Sequence, residues 1–294
     1  MLHRSCRFPL GARAAVGDRF GPRLCRLAGG FILLAAAAVL IGCSQHEARP
    51  RIVVSGASTV FPLVEASREQ LARDYHLDVV AQTGGSTRGF EDCINGRNDL
   101  GAMAREPTSE EARQIMLFPI AYDGVGIVVN EANPLVTITT GQLRRIYRKQ
   151  ECNWRAFTTW DREITVVNRA EGHATLEIFL EHTGLNRGEI KPDAVGGDNA
   201  QIIRLVANSK TAIGYVSVGE AIHAREIGIP VRLLTLDGIE PTLAHIADKT
   251  YPMFRQLYLI ARGAPSAQGR VLIDFFHSKD GQQIIREAKY VPIL

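Results

Sequence analysis

The sequence predicts an α/β fold of mainly parallel sheets flanked by helices, and three observations point to it. Short runs of β-branched and apolar residues end at glycine and alternate with segments of helical spacing. Alternation of this kind favours parallel pairing, with helices packed on the sheet. The 294-residue chain, once shortened by an N-terminal leader, has a length that suits one large or two small α/β domains.

The leader is expected over residues 1–42. Arg4, Arg7, Arg13, Arg19, Arg23 and Arg26 precede an apolar run from Leu27 to Ile41. A basic segment, a short apolar stretch and small residues at its end read as a secretory signal. The apolar stretch is short for a membrane-spanning helix. It closes on Leu40-Ile41-Gly42-Cys43, which resembles the bacterial lipobox and marks Cys43 for lipidation. Residues 43–50 would be a polar tether. The leader holds six of the basic residues and only Asp18, so the formal charge of +3 becomes −2 for residues 43–294. That balance points away from nucleic acid as a partner.

Arg51-Ile52-Val53-Val54-Ser55 reads as the first strand, ending at Gly56. Residues 62–75 have helical spacing, with Leu63, Val64, Leu71 and Tyr75 available for one face. A strand over 77–82 and a helix over 89–95 follow. Residues 117–129 read as a buried strand ending at Asn130. Helix 141–148, strand 164–167, helices 176–181 and 199–207, strand 213–216 and helix 218–225 come next. A late strand spans 256–261. One or two closing helices occupy 271–288, broken at Asp280-Gly281.

Three loops precede predicted helices: Gly56–Pro62, Thr83–Arg88 and Arg169–Thr175. A helix N-terminus exposes free N–H groups and the positive end of its dipole, so it attracts anions. In parallel sheets, ligands sit where strand C-termini meet helix N-termini. The three loops therefore suggest a protein that wraps a small oxyanion, with Arg169 as the charged clamp. No Cys/His cluster has zinc spacing, the eight histidines are scattered, and no nucleophile signature stands out. Neither an enzyme nor a cofactor is expected. Cys93 and Cys152 could pair in an oxidising compartment, but two cysteines do not require it.

Several segments occur together in a fixed order: Gly56–Pro62, Gly84-Gly85-Ser86, Asp99-Leu100-Gly101-Ala102, Asp123-Gly124-Val125-Gly126, the stretch from Gln142 to Trp154, Arg169–Thr175, Tyr251-Pro252 with Leu257-Tyr258, and Gly281 with Tyr290-Val291-Pro292. In this order the chain resembles the phosphate-binding proteins of bacterial phosphate ABC importers over nearly all of residues 51–294. The resemblance implies a two-lobed periplasmic binding protein fold of type 2. Each lobe would be a mainly parallel sheet flanked by helices, with the ligand cleft between them. Lobe one would be residues 51–127 plus 252–294, and lobe two 128–251.

Carried over residue by residue, the resemblance makes Arg169 the phosphate clamp and Glu171 the acid that braces it. Ser58 and Thr59, with the N–H groups of Val60 and Phe61, form the first loop. Ser86 forms the second, and Thr175 closes the third. Each hydroxyl could equally serve only as a helix cap. His173-Ala174 replaces the family's Ser-Gly; a protonated His173 would add charge and pH sensitivity, whereas an outward one would do neither. Met103-Ala104 stands where the family carries Ser with Ser or Asp, the acceptor for the proton on phosphate. Arg105 follows, either facing the cleft or in an ion pair. Asp123 could supply the missing acceptor, or be a turn residue. The resemblance thus implies a monomeric, lipid-anchored, periplasmic protein that hands phosphate or a related oxyanion to the membrane subunits of an ABC importer. The alternative is an envelope sensing protein that keeps the fold with an altered ligand site.

Overall fold

A computed structural model describes residues 49–294 of the chain. The expected leader, Cys43 and most of the tether lie outside these described residues. A curled mixed sheet flanked by helices has the strand order Asp78–Thr83, Arg51–Gly56, Leu100–Met103, Phe254–Ala261, Met116–Asn130, Ala212–Ser217, Thr165–Arg169, Ala194–Gly196. Strands β1 (Arg51–Gly56), β2 (Asp78–Thr83) and β3 (Leu100–Met103) pair in parallel at one end. Strands β6 (Thr165–Arg169), β7 (Ala194–Gly196) and β8 (Ala212–Ser217) do so at the other. Two long antiparallel strands, β4 (Met116–Asn130) and β11 (Phe254–Ala261), join the two sets.

The parallel trios follow from strand–helix alternation; the joining strands are antiparallel because each is entered from the opposite set. β4 and β11 slip register between Leu257 and Tyr258, where Tyr258 faces Pro119. Proline offers no N–H to the ladder, so it falls at such an irregularity. β4 also feeds both main hydrophobic clusters. Ile120 and Ala121 join Ile52, Leu63, Leu257, Phe275 and Phe276. Val125, Ile127 and Val129 join Leu143, Trp154, Phe179, Tyr215 and Leu234. In the second cluster the Phe179 and Tyr215 rings stack with centroids 4.1 Å apart.

Ten α-helices occur among the described residues: α1 Phe61–Asp74, α2 Ser86–Ile94, α3 Ser109–Ala112, α4 Thr140–Tyr147, α5 Ala174–Thr183, α6 Asn199–Asn208, α7 Val218–Glu226, α8 Leu243–Ala247, α9 Ala267–His277 and α10 Lys279–Glu287. The closing pair breaks at Ser278 rather than at Asp280-Gly281. Ser278 ends α9 and accepts the Gly281 N–H at 3.2 Å as the cap of α10. Asp280-Gly281 looks like a breaker only until a serine two residues earlier supplies the cap. Cys93 and Cys152 are both free, the first buried and the second exposed.

Candidate functional site

Seven of the ten helices are capped by their own N-cap side chain: Thr108, Thr139, Asp198, Ser217, Thr242, Ser266 and Ser278. The other three are α1, α2 and α5, and their N-caps Val60, Gly85 and His173 make no side-chain cap. These are the three loops that the sequence marks as anion-attracting. Their first-turn N–H groups are left without the usual local acceptor.

The loops come together. Thr87 donates its N–H to the Gly172 carbonyl at 3.3 Å, joining the second loop to the third. Gly85 lies so close to Gly172 that a Cβ there would sit 2.3 Å from its carbonyl oxygen. At the end of β6, Arg169 reaches the first loop, donating from Nη2 to Ser58 Oγ at 3.0 Å. Arg169 is only 1% exposed, and its Nε and Nη1 have no partner. Burial pulls its pKa down to about 10, opposed by the nearby Glu220 carboxylate, so it keeps its charge at neutral pH.

Sequence reasoning missed a second guanidinium. Arg255, near the start of β11, is buried and pairs with Asp123 through Nη2 and Nε at 2.7 and 3.1 Å. It also donates to Thr175 Oγ1 and Thr59 Oγ1, both at 3.0 Å. One side chain thus ties the first loop to the third. The signal was present: Arg255 alternates with Leu257 and Leu259, which are fully buried, and so shares their inward face.

The hydroxyls are oriented by what they accept. Ser58 accepts from Arg169, Thr59 and Thr175 from Arg255, and Ser86 Oγ from the Ala104 N–H at 3.1 Å. Each has its own O–H proton left to donate. Hydroxyl protons, helix N–H groups and free guanidinium donors suit an oxyanion and leave little to hold a cation. Among the described residues no cluster of His, Cys, Asp and Glu could hold a metal ion.

Several expected members are placed differently. Asp123 is neither a turn residue nor a free acceptor: it lies inside β4, bound by Arg255 and by the Gly219 N–H at 3.3 Å. Glu171 is exposed and forms no ion pair with Arg169, because Gly172 turns the loop with φ 78° between it and α5. His173 is buried, and burial together with Arg169 pushes its pKa down to about 4, so it stays neutral at physiological pH. The side chain is thus not turned outward. Arg105 turns from the loops to pair with Glu111 at 2.7 Å and Glu177 at 2.5 Å. Met103 points into a small cluster with Phe90, Tyr258 and Ile260. Phe61 and Ala174 stand at the first positions of α1 and α5, whereas Val60 is the N-cap of α1 and its N–H is already donated to the Ala57 carbonyl at 3.0 Å, so the expectation that it offers a free N–H is corrected.

The model of the PBP superfamily domain matches residues 44–280. The phosphate-binding protein PstS of Staphylococcus epidermidis is 30% identical over 252 residues, covering 80% of this chain and 77% of that protein. PstS of Bacillus subtilis is 24% identical, covering 85% and 83%. Among solved structures, a phosphate ABC transporter substrate-binding protein with bound phosphate from Clostridium perfringens superposes with a TM-score of 0.77 at 25% identity. It spans 83% of this chain and 100% of that one. An ABC-type phosphate transport receptor from Vibrio cholerae gives 0.67 at 28% identity, spanning 82% and 99%.

Proposed function

The chain belongs to the PBP superfamily, among the phosphate ABC transporter substrate-binding proteins, and from this we propose that it captures inorganic phosphate outside the cytoplasm for an ABC importer. Proteins of this kind are not enzymes; they bind and release a solute. The observation that carries the reading is that three loops leading into helices without side-chain caps are joined to one another and to Arg169, a buried guanidinium with two unpartnered donors. In the proposed site, Arg169 makes charge-assisted bonds worth about 1.5–3 kcal/mol each. Ser58, Thr59, Ser86 and Thr175 donate hydroxyls, and the N–H groups of Phe61 and Ala174 close the shell. Arg255 orients Thr59 and Thr175 while Asp123 holds it in place. Residues 51–127 plus 252–294 and residues 128–251 act as the two lobes, and the ligand seals them by hinge closure.

We also propose that Cys43 is lipidated and tethers the protein to the membrane as a monomer. The relatives named for phosphate binding favour capture over a sensing role. Titration of the ligand-stripped protein with phosphate, sulfate and arsenate tests the reading. Saturable binding of one phosphate per chain is expected. No binding of any of the three would overturn it. Loss of metabolic palmitate label in Cys43→Ser tests the anchor.

A further inference from the structure

Glu220 stands in the first turn of α7, behind the proposed site. Its Oε1 accepts from Asn199 Nδ2. The same Nδ2 donates to Thr59 Oγ1 at 3.3 Å, while Asn199 Oδ1 accepts the Ser217 N–H at 3.3 Å. Asn199 is therefore locked between the carboxylate and the first anion loop. The charged groups that bear on Glu220 come from three strands: Arg169 on β6, Asp123 on β4 and Arg255 on β11. Buried Tyr290, whose hydroxyl lacks a partner, packs beside it. Tyr290 and Glu220 line a cavity of about 560 Å³ together with His223 on α7, Arg204 on α6 and Glu287 on α10. That cavity gives the carboxyl a path to exchange protons with solvent.

Arg169 and Arg255 face the carboxylates of Asp123 and an ionised Glu220, and Asp198 at the N-cap of α6 adds a third carboxylate near Arg169. A dianion bound at Arg169 adds negative charge beside these carboxylates, which burial makes costly. Among the described residues around the site, Asp123 is held by two guanidinium bonds and His173 is pushed well below neutral by burial and Arg169, which leaves Glu220 as the group whose protonation would relieve this near neutral pH. We propose that Glu220 is the proton-accepting partner of the anion site: it takes one proton from solvent as phosphate binds, acting through Asn199 and Arg169 without touching the ligand. Burial already lifts its pKa to about 7, against the pull of Asn199 and Arg169. A neighbouring anion raises it further. Ala104 offers no carboxyl, and this positioning residue supplies the proton linkage instead.

The inference rests on the phosphate reading, and one experiment separates the two. Calorimetric titrations with inorganic phosphate at pH 8, in two buffers of different ionisation heat, count protons taken up per anion. The wild type should take up close to one proton more than Glu220→Gln, which keeps the Asn199 bond. Between pH 7 and 9 its affinity should fall up to tenfold more per pH unit than the variant's. Infrared difference spectra of the wild type, bound minus free, should show a new protonated-carboxyl band that phosphate itself does not give. Equal proton counts in the two proteins, or no such band, overturn the inference while leaving phosphate capture intact. Absence of phosphate binding in the wild type overturns both.

Discussion

Arg169 and Arg255 are both buried guanidiniums, and truncating them should have opposite effects. Arg255→Met strands Asp123 in the interior, at a cost of about 3–5 kcal/mol. Urea unfolding of the ligand-free protein should show that loss. The Arg169 side chain makes a single hydrogen bond, to Ser58, and no ion pair. Arg169→Met should leave ligand-free stability unchanged or higher while abolishing phosphate binding; a stability loss as large as that of Arg255→Met would contradict the assignment. His173 makes a further separation. Its imidazole takes a proton near pH 6.5 when unfolded but near pH 4 when folded. Its contribution to stability is therefore present above pH 6.5 and lost as the pH falls through that window. His173→Gln should flatten the acid side of the stability profile and leave phosphate affinity between pH 6 and 8 with its wild-type slope.

The helices show why part of the site could be read directly from the sequence. Runs of Gly, Ser and Thr before a helix are visible in the chain, so all three anion loops were legible. Whether such a hydroxyl caps its helix or faces a ligand depends on the φ and ψ of one residue, which the letters do not state. At Val60, Gly85 and His173 no side chain caps the helix. Arg255 was hidden because its partners lie 80 to 196 positions away in sequence. Strands of two or three residues, such as Ala194–Gly196, are too short to show a period of two. Gly85 carries the close approach between the second and third loops. It has φ 90° and no room for a Cβ against Gly172. Gly85→Ala should cost about 1–3 kcal/mol in chemical unfolding and weaken phosphate binding in parallel. Wild-type affinity in this variant would show that the loops need not touch.

At the scale of the whole molecule, the loops from both ends of the sheet are drawn together and buried around Arg169. Beside them Arg105, leaving β3, is gripped by Glu111 and reaches Glu177 on α5. That ion pair ties the end of β3, in one parallel set, to α5, which follows β6 in the other. Being partly exposed, it is worth about 0–1 kcal/mol. Glu177→Ala should therefore speed phosphate release by up to about fivefold in stopped-flow displacement, with little change in the association rate. The measurement that tests the central claim most directly is calorimetric titration of the ligand-stripped wild type and Arg169→Met with inorganic phosphate. Saturation at one phosphate per chain in the wild type and no heat in the variant is the predicted result. No binding in the wild type, or equal affinity in both proteins, would contradict it.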